Sequence, residues 1–396
     1  MEHTYVPAAE LAARVGKLQE QLGRAGLDGA LIVENTSLYY FSGTVPSGCL
    51  FIPQSGEPLL LVRKDLHRSR RESALSQVLP LDSWRNLPAL LGEHGYRLAR
   101  LGMELDVLPA KDYFRYQRLL GDPVRIEDIS HLTRMLRAVK SPYEIDLIRK
   151  SGVVHGEVFA AVPGFIREGM TDLELSARFE YEARRRGHYG FTRFRGLNME
   201  LFIGQVLVGP EAAAPTCYDT PLGGQGLSPL YPQGPCGAVI APGKVISVDS
   251  MGNYTGYMVD QTRMYCLGRP PAELEKAFRV ALEVQQMVEE RAKPGVSGAE
   301  LYEAAVDLAR RAGLGEHFMG YGQPVTFIGH GVGLEVNEWP VIARGVEVPL
   351  AEGHVLAVEP KFVFPGLGVA GVENTYLVTA SGLEKLTLTP DEMQIL

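Results

Sequence analysis

The stretch 245–263, VISVDSMGNYTGYMVDQTR, decides the fold, because it reads as a β-hairpin carrying one aspartate on each arm. Val245, Ile246 and Val248 suit a strand, and Asn253 to Gly256 supply turn residues. Asp249 and Asp260 lie equally far from a turn centred between Tyr254 and Thr255, so this reading sets them opposite each other across the ladder. Facing carboxylates repel unless something positive stands between them. The hairpin asks for a cation.

Residues 354–378, HVLAVEPKFVFPGLGVAGVENTYLV, have the same form: Glu359 and Glu373 are symmetric about Gly366, within the turn Pro365 to Gly368. Between the two hairpins, in 327–340 (FIGHGVGLEVNEWP), glycines crowd one histidine, His330. Four carboxylates and an imidazole form a hard, oxygen-rich donor set. Two divalent cations would neutralise the four negative charges, and Mn²⁺, Co²⁺, Zn²⁺ or Fe²⁺ suits these donors better than a structural zinc, which favours thiolates. Taken singly, each residue is an ordinary hairpin or loop residue. Together, five with this symmetry point to a functional cluster.

The order Asp, Asp eleven residues later, GHGxG, Glu-Pro and a final Glu resembles the dinuclear metallopeptidase family of methionine aminopeptidase, Xaa-Pro aminopeptidase and prolidase, with creatinase as a metal-free relative. The resemblance covers nearly the whole chain. It implies an α+β class with a carboxy-terminal pita-bread domain (the creatinase/aminopeptidase fold) behind a smaller amino-terminal α/β domain. It also implies Asp249, Asp260, His330, Glu359 and Glu373 as ligands of two divalent metal ions, with Glu359 as the general base for a bridging hydroxide.

Several positions depart from that pattern. Where the family commonly has GPNAALPH, with a substrate-contacting histidine at its end, this chain has GPEAAAPT and Thr216. Histidines often found four residues before and seven after the metal histidine are Thr326 and Asn337. An arginine usual two residues before the last glutamate is Gly371, and a tyrosine expected after Glu-Pro is displaced by Lys361-Phe362-Val363. Asn donates a hydrogen bond but carries no proton transfer, so these changes bear on substrate choice and rate rather than on metal binding. Thr216, Thr326 and Asn337 are the candidate substrate-binding residues. None of the remaining histidines takes over the lost role: His188 reads as a helix-end residue and His354 as packing.

Three functions follow. The first is a metal-dependent Xaa-Pro hydrolase, cleaving the amide bond before proline in small peptides. The second is a hydrolase of a non-peptide C–N bond in an amide or amidine, and the third a metal-binding module without catalysis.

At 396 residues the chain exceeds the usual single-domain range, and the boundary is expected near 135–141 (MLRAVKS), giving domains 1–135 and 136–396. In the first, Leu11, Val15, Leu18 and Leu22 have helical spacing, and apolar strands follow at GALIVE, Leu59 to Val62 and Leu101 to Met103. In the second, Ser141-Pro142-Tyr143-Glu144, Thr171 with Glu174, and Ser297 with Glu300 are capping boxes; a fourth helix runs from Pro271 to Lys293, and Gly187 and Gly313 are stops. The glycine- and proline-dense run 209–237 reads as one long functional loop.

A net charge of −8 argues against nucleic-acid or anionic-membrane partners, and the basic run Arg63 to Arg71 reads as a solvated helix face. Four scattered cysteines fit a reducing compartment. The start, MEHTYVPAAELAARVG, has no signal-peptide core, and no apolar run reaches membrane-spanning length, so a cytoplasmic enzyme is expected. A homodimer is expected from the resemblance alone.

Overall fold

The computed structural model describes residues 5–396; the first four residues of the amino-terminal stretch lie outside them. The chain forms two compact units, Met1–Arg137 and Ala138–Leu396.

In the first unit the helix Ala8–Ala25 buries Leu11, Val15, Leu18 and Leu22, the four apolar positions of its sequence stripe. It ends at Gly26, whose φ of 66° is the left-handed turn that glycine adopts without a Cβ penalty. Six strands make a mixed sheet: β1 (Gly29–Ile32), β2 (Ser47–Pro53), β3 (Leu59–Lys64), β4 (Gln77–Pro80), β5 (Arg100–Met103) and β6 (Arg125–Asp128), in the order β4-β3-β2-β1-β5-β6. The basic run lies on the exposed helix Leu66–Glu72 and the strand end before it.

The second unit is built from two sheets, each backed by a pair of helices. One sheet is β17-β9-β8-β7, from β7 (Gly204–Val208), β8 (Val245–Asn253), β9 (Met258–Cys266) and β17 (Gln394–Ile395). The other is β11-β10-β12-β15-β16, from β10 (Phe327–Gly331), β11 (Glu338–Ala343), β12 (Val355–Val358), β15 (Asn374–Thr379) and β16 (Gly382–Lys385). A short ribbon, β13 (Lys361–Phe364) with β14 (Gly368–Gly371), extends the β12/β15 pair. Helices Pro142–Ala161 and Asp172–Arg185 start with complete capping boxes at Ser141 and Thr171, and Val158, Phe159, Leu175 and Phe179 pack on β7 and β8. Helices Ala272–Arg291 and Gly298–Arg311 cover the second sheet, burying Leu274, Phe278, Ala281, Val284 and Val288 as their spacing predicts. The run 209–237 is irregular apart from a 3₁₀ turn at Gly209–Ala213. Among the described residues no helix is long and apolar enough to cross a membrane.

Between the first helix pair and β8 lies His155, fully buried, with Nε2 2.9 Å from the Ser250 carbonyl and Nδ1 3.3 Å from the Tyr254 hydroxyl. Gly252 makes room for it, since a Cβ there would stand 2.6 Å from the His155 ring. Burial pushes its pKa down to about 3, against about 6.5 in an unfolded chain. A histidine held neutral stabilises the fold above its unfolded pKa, and that stabilisation is lost as pH falls toward the folded value. The unfolding free energy is therefore expected to drop by about 1.4 kcal/mol per pH unit below about 6.5 on account of this one proton. Urea titrations of the wild type and His155→Gln at stepped pH check it: the variant should lose that share of the slope.

Candidate metal centre

Five side chains meet where the two sheets face each other. Asp249 projects from β8, Asp260 from β9 and His330 from β10, while Glu359 follows β12 and Glu373 precedes β15. The four carboxylates are 8% exposed or less.

The aspartates do not face each other as the symmetric reading expected. The hairpin pairs Asn253 with Met258, about a centre one position further along, so Asp249 stands opposite Thr262 and Asp260 opposite Met251. A four-residue connection, 254–257, sets that register. The aspartates are diagonal neighbours two residues out of step, which keeps them on one face of the sheet. The glutamates do oppose each other: Val358 pairs with Asn374 on one side and Lys361 with Gly371 on the other, in one continuous register.

Cross-links hold the hairpins together. Thr262 forms a bridge with Glu373, and its hydroxyl donates to Glu373 Oε2 at 2.7 Å. The Asp260 amide donates to the Thr375 hydroxyl, which returns a bond to the Asp260 carbonyl. Beneath them the buried Arg263 guanidinium donates to the carbonyls of Thr262, Glu373, Thr389 and Pro390 and to Asn374 Oδ1, all between 2.7 and 2.8 Å, and pairs with Asp391 at 2.9 Å.

His330 Nδ1 lies 3.1 Å from the Gly331 carbonyl, which leaves Nε2 turned toward the carboxylates: 3.4 Å from Glu359 Oε1, 3.9 Å from Asp260 Oδ2 and 4.0 Å from Glu373 Oε1. Burial opposes a charge on this ring, but Glu359, Asp260 and Glu373 outweigh it and lift the pKa to about 9. Burial and the nearby Asp249 push Asp260 up to about 7. Burial would raise Glu359 too, but Lys361 and His330 hold it down at about 2.

Sequence reasoning missed one member of the site. Lys361 Nζ sits among the carboxylates, 2.8 Å from Asp249 Oδ2, 2.8 Å from Glu359 Oε2 and 3.0 Å from Glu373 Oε2. The signal was strand alternation, which puts residue 361 on the same face as residue 359. Asp260, His330 and Glu373 each offer a ligand atom within 4.8 Å of the others, a buried hard-donor set that fits a divalent ion.

Residues 146–380 match the model of metallopeptidase family M24, and residues 14–139 match the creatinase/prolidase N-terminal domain. The chain belongs to metallopeptidase family M24. It is 27% identical to the Xaa-Pro dipeptidase of Pyrococcus furiosus over 96% of this chain and 99% of that one. It is 29% identical to a probable dipeptidase, PepE, of Mycobacterium bovis, over 93% and 92% of the two chains. The prolidase structure from Pyrococcus horikoshii superposes with a TM-score of 0.80 at 26% identity, over 96% of this chain and 99% of that one. The α+β class and pita-bread architecture are those of this M24 chain and its solved relatives.

The departures from the M24 pattern have distinct structural outcomes. Asn337 pins the backbone at Arg195: its Oδ1 accepts from the Arg195 amide and its Nδ2 donates to the Arg195 carbonyl, both at 2.9 Å. The reason is position, because the loop after β10 packs on segment 191–196, where the Val336 amide also bonds the Arg193 carbonyl. Thr216 accepts from the Tyr218 amide at 3.3 Å, and Thr326 is exposed. Among the described residues no hydrogen bond joins either to the carboxylate cluster. His188 is bonded at Nε2 to the Met251 carbonyl behind β8 and His354 accepts from the Ala351 amide, so both serve packing.

Asn337→Ala removes two hydrogen bonds from the Arg195 backbone, about 1–3 kcal/mol of local order. Amide exchange across 191–196 should quicken tenfold or more while the strands are unchanged, as hydrogen-exchange mass spectrometry would show.

Proposed function

We propose that this M24 chain hydrolyses the amide bond before proline in small peptides. The observation that carries the reading is the cluster of buried Asp260, Glu359 and Glu373 around the half-buried His330, within a chain similar over nearly its whole length to Xaa-Pro dipeptidases. A divalent ion held by Asp260, His330 and Glu373 would supply Lewis-acid polarisation of the scissile carbonyl and acidify water. Glu359 is the proton carrier, taking a proton from the attacking water and delivering it to the leaving nitrogen. Burial opposes ionisation of its carboxylate, but the Lys361 ammonium beside it favours the charged form, so it is available as a base at neutral pH. His330 is oriented by the Gly331 carbonyl at Nδ1, which fixes Nε2 toward the reacting centre.

A second reading, hydrolysis of a non-peptide C–N bond, is favoured by one observation. Asn337, at a position where the resemblance implies a histidine, is engaged by the Arg195 backbone and offers no proton relay. A homodimer and a cytoplasmic location belong to the same proposal; four cysteines without disulfides are consistent with the latter, and a monomer by light scattering would remove the former.

Turnover of Xaa-Pro dipeptides and longer Xaa-Pro peptides by the Mn²⁺- or Co²⁺-loaded protein tests the reading, with Asp260→Ala as control. Metal-dependent turnover absent from the control is expected, and preference for dipeptides would make it a dipeptidase. Silence toward all Xaa-Pro substrates from the metal-loaded protein, with turnover of a small amide or amidine, would replace the first reading by the second.

A further inference from the structure

We propose that the ammonium of Lys361 permanently fills one of the two cation positions in the carboxylate cluster, so that the chain takes a single divalent ion, on the His330 side. The inference rests on reading these residues as a metal site, and it departs from the pair of ions that the family resemblance implies.

The cluster is divided atom by atom. Glu359 and Glu373 each turn Oε2 to Lys361 Nζ and Oε1 to His330 Nε2; Asp249 Oδ2 lies on the lysine side and Asp260 Oδ2 on the histidine side. An ammonium has three N–H donors, and three carboxylate oxygens at 2.8 to 3.0 Å accept all of them. A divalent ion on those same oxygens would sit at about 2.0–2.2 Å from each. Such an ion would occupy the volume that Nζ fills, so ion and amine exclude each other.

The lysine is also built in from behind. Across the ribbon its partner is Gly371, where an added Cβ would stand 2.6 Å from Lys361 Cγ. A Cβ at 371 would force the lysine stem to shift, so the glycine at 371 makes the room that the lysine at 361 uses. Met319 fixes the Lys361 backbone: the Met319 amide donates to the Lys361 carbonyl at 2.8 Å, and the Lys361 amide lies 3.4 Å from Met319 Sδ. At 1% exposure the side chain is buried. Withdrawing it would leave a buried ammonium without its partners, which is strongly unfavourable.

The half-site left for metal has Asp260, His330 and the Oε1 atoms of the two glutamates. Lys361 then supplies a fixed positive charge that exchanges no ligands and binds no water.

The test is metal stoichiometry, read independently of activity. The full-length protein is stripped, reconstituted with excess Mn²⁺, desalted and analysed by elemental mass spectrometry and low-temperature electron paramagnetic resonance. One Mn²⁺ per chain with the spectrum of an isolated ion is expected. Lys361→Ala should take up a second ion, doubling the stoichiometry and giving an exchange-coupled spectrum. Two tightly bound, coupled ions in the wild type would overturn the inference, as would a folded Lys361→Ala that still holds one. If that variant does not fold, the wild-type stoichiometry alone decides. One ion without turnover of any Xaa-Pro peptide leaves this inference standing and removes the substrate reading; no ion in the wild type removes both.

Discussion

Glu359→Gln is expected to lower turnover by about 10²- to 10⁴-fold, the usual range for losing a positioned proton carrier. The substitution keeps shape and acceptor, so an amide oxygen can still receive Lys361 Nζ where Glu359 Oε2 now does at 2.8 Å. The capacity to take and return a proton is removed, together with one negative charge and the oxygen that Glu359 turns toward His330. Steady-state kinetics with the metal-loaded variant would check this, with circular dichroism and metal content of the variant measured alongside to separate loss of the proton carrier from loss of the ion. Full turnover in the variant would take the proton-carrier role from Glu359.

Arg263→Met should destabilise the second unit by about 3–5 kcal/mol, the range for breaking a buried, fully bonded charge. Five acceptors lose a bond together: the carbonyls of Thr262, Glu373, Thr389 and Pro390 and the Asn374 side chain, of which Asn374 Oδ1 keeps the Thr387 hydroxyl. Asp391 loses one partner at the same time and keeps Lys385 and the Asn374 amide. Two of these acceptors belong to the Thr262–Glu373 bridge that holds one hairpin against the other, so weaker metal retention should accompany the lower stability. Arg263→Lys would recover only part of the loss, since one ammonium cannot span acceptors arranged for a planar fork. Urea unfolding midpoints and metal content of the two variants would measure both effects. A shift below about 1 kcal/mol would show that the acceptors find other donors.

Both predictions turn on groups far apart in the chain, and this separates what was legible from what was not. Helix starts at Ser141, Thr171 and Ser297 were readable because a cap and the residue three positions on decide them locally. The opposition of Glu359 and Glu373 was readable because a tight turn fixes register over a short ribbon. The corresponding expectation for Asp249 and Asp260 failed by two residues of register, since their hairpin closes through 254–257, one position beyond the assumed centre.

The sequence by itself determined the family, the order and identity of the acidic and histidine residues, and the amphipathic helices that back each sheet, because these depend on residue type and short-range period. Only the tertiary structure decided what lies between the carboxylates. Lys361 reaches Asp249 across 112 positions, and Asn337 reaches Arg195 across 142. Whether a lysine in a strand points to solvent or into an acidic cluster depends on the residue opposite it and on the sheet packed above. Here Gly371 leaves room for the stem, and the paired hairpins bring three carboxylates to its end, a balance of packing space and buried charge set by contacts between distant segments.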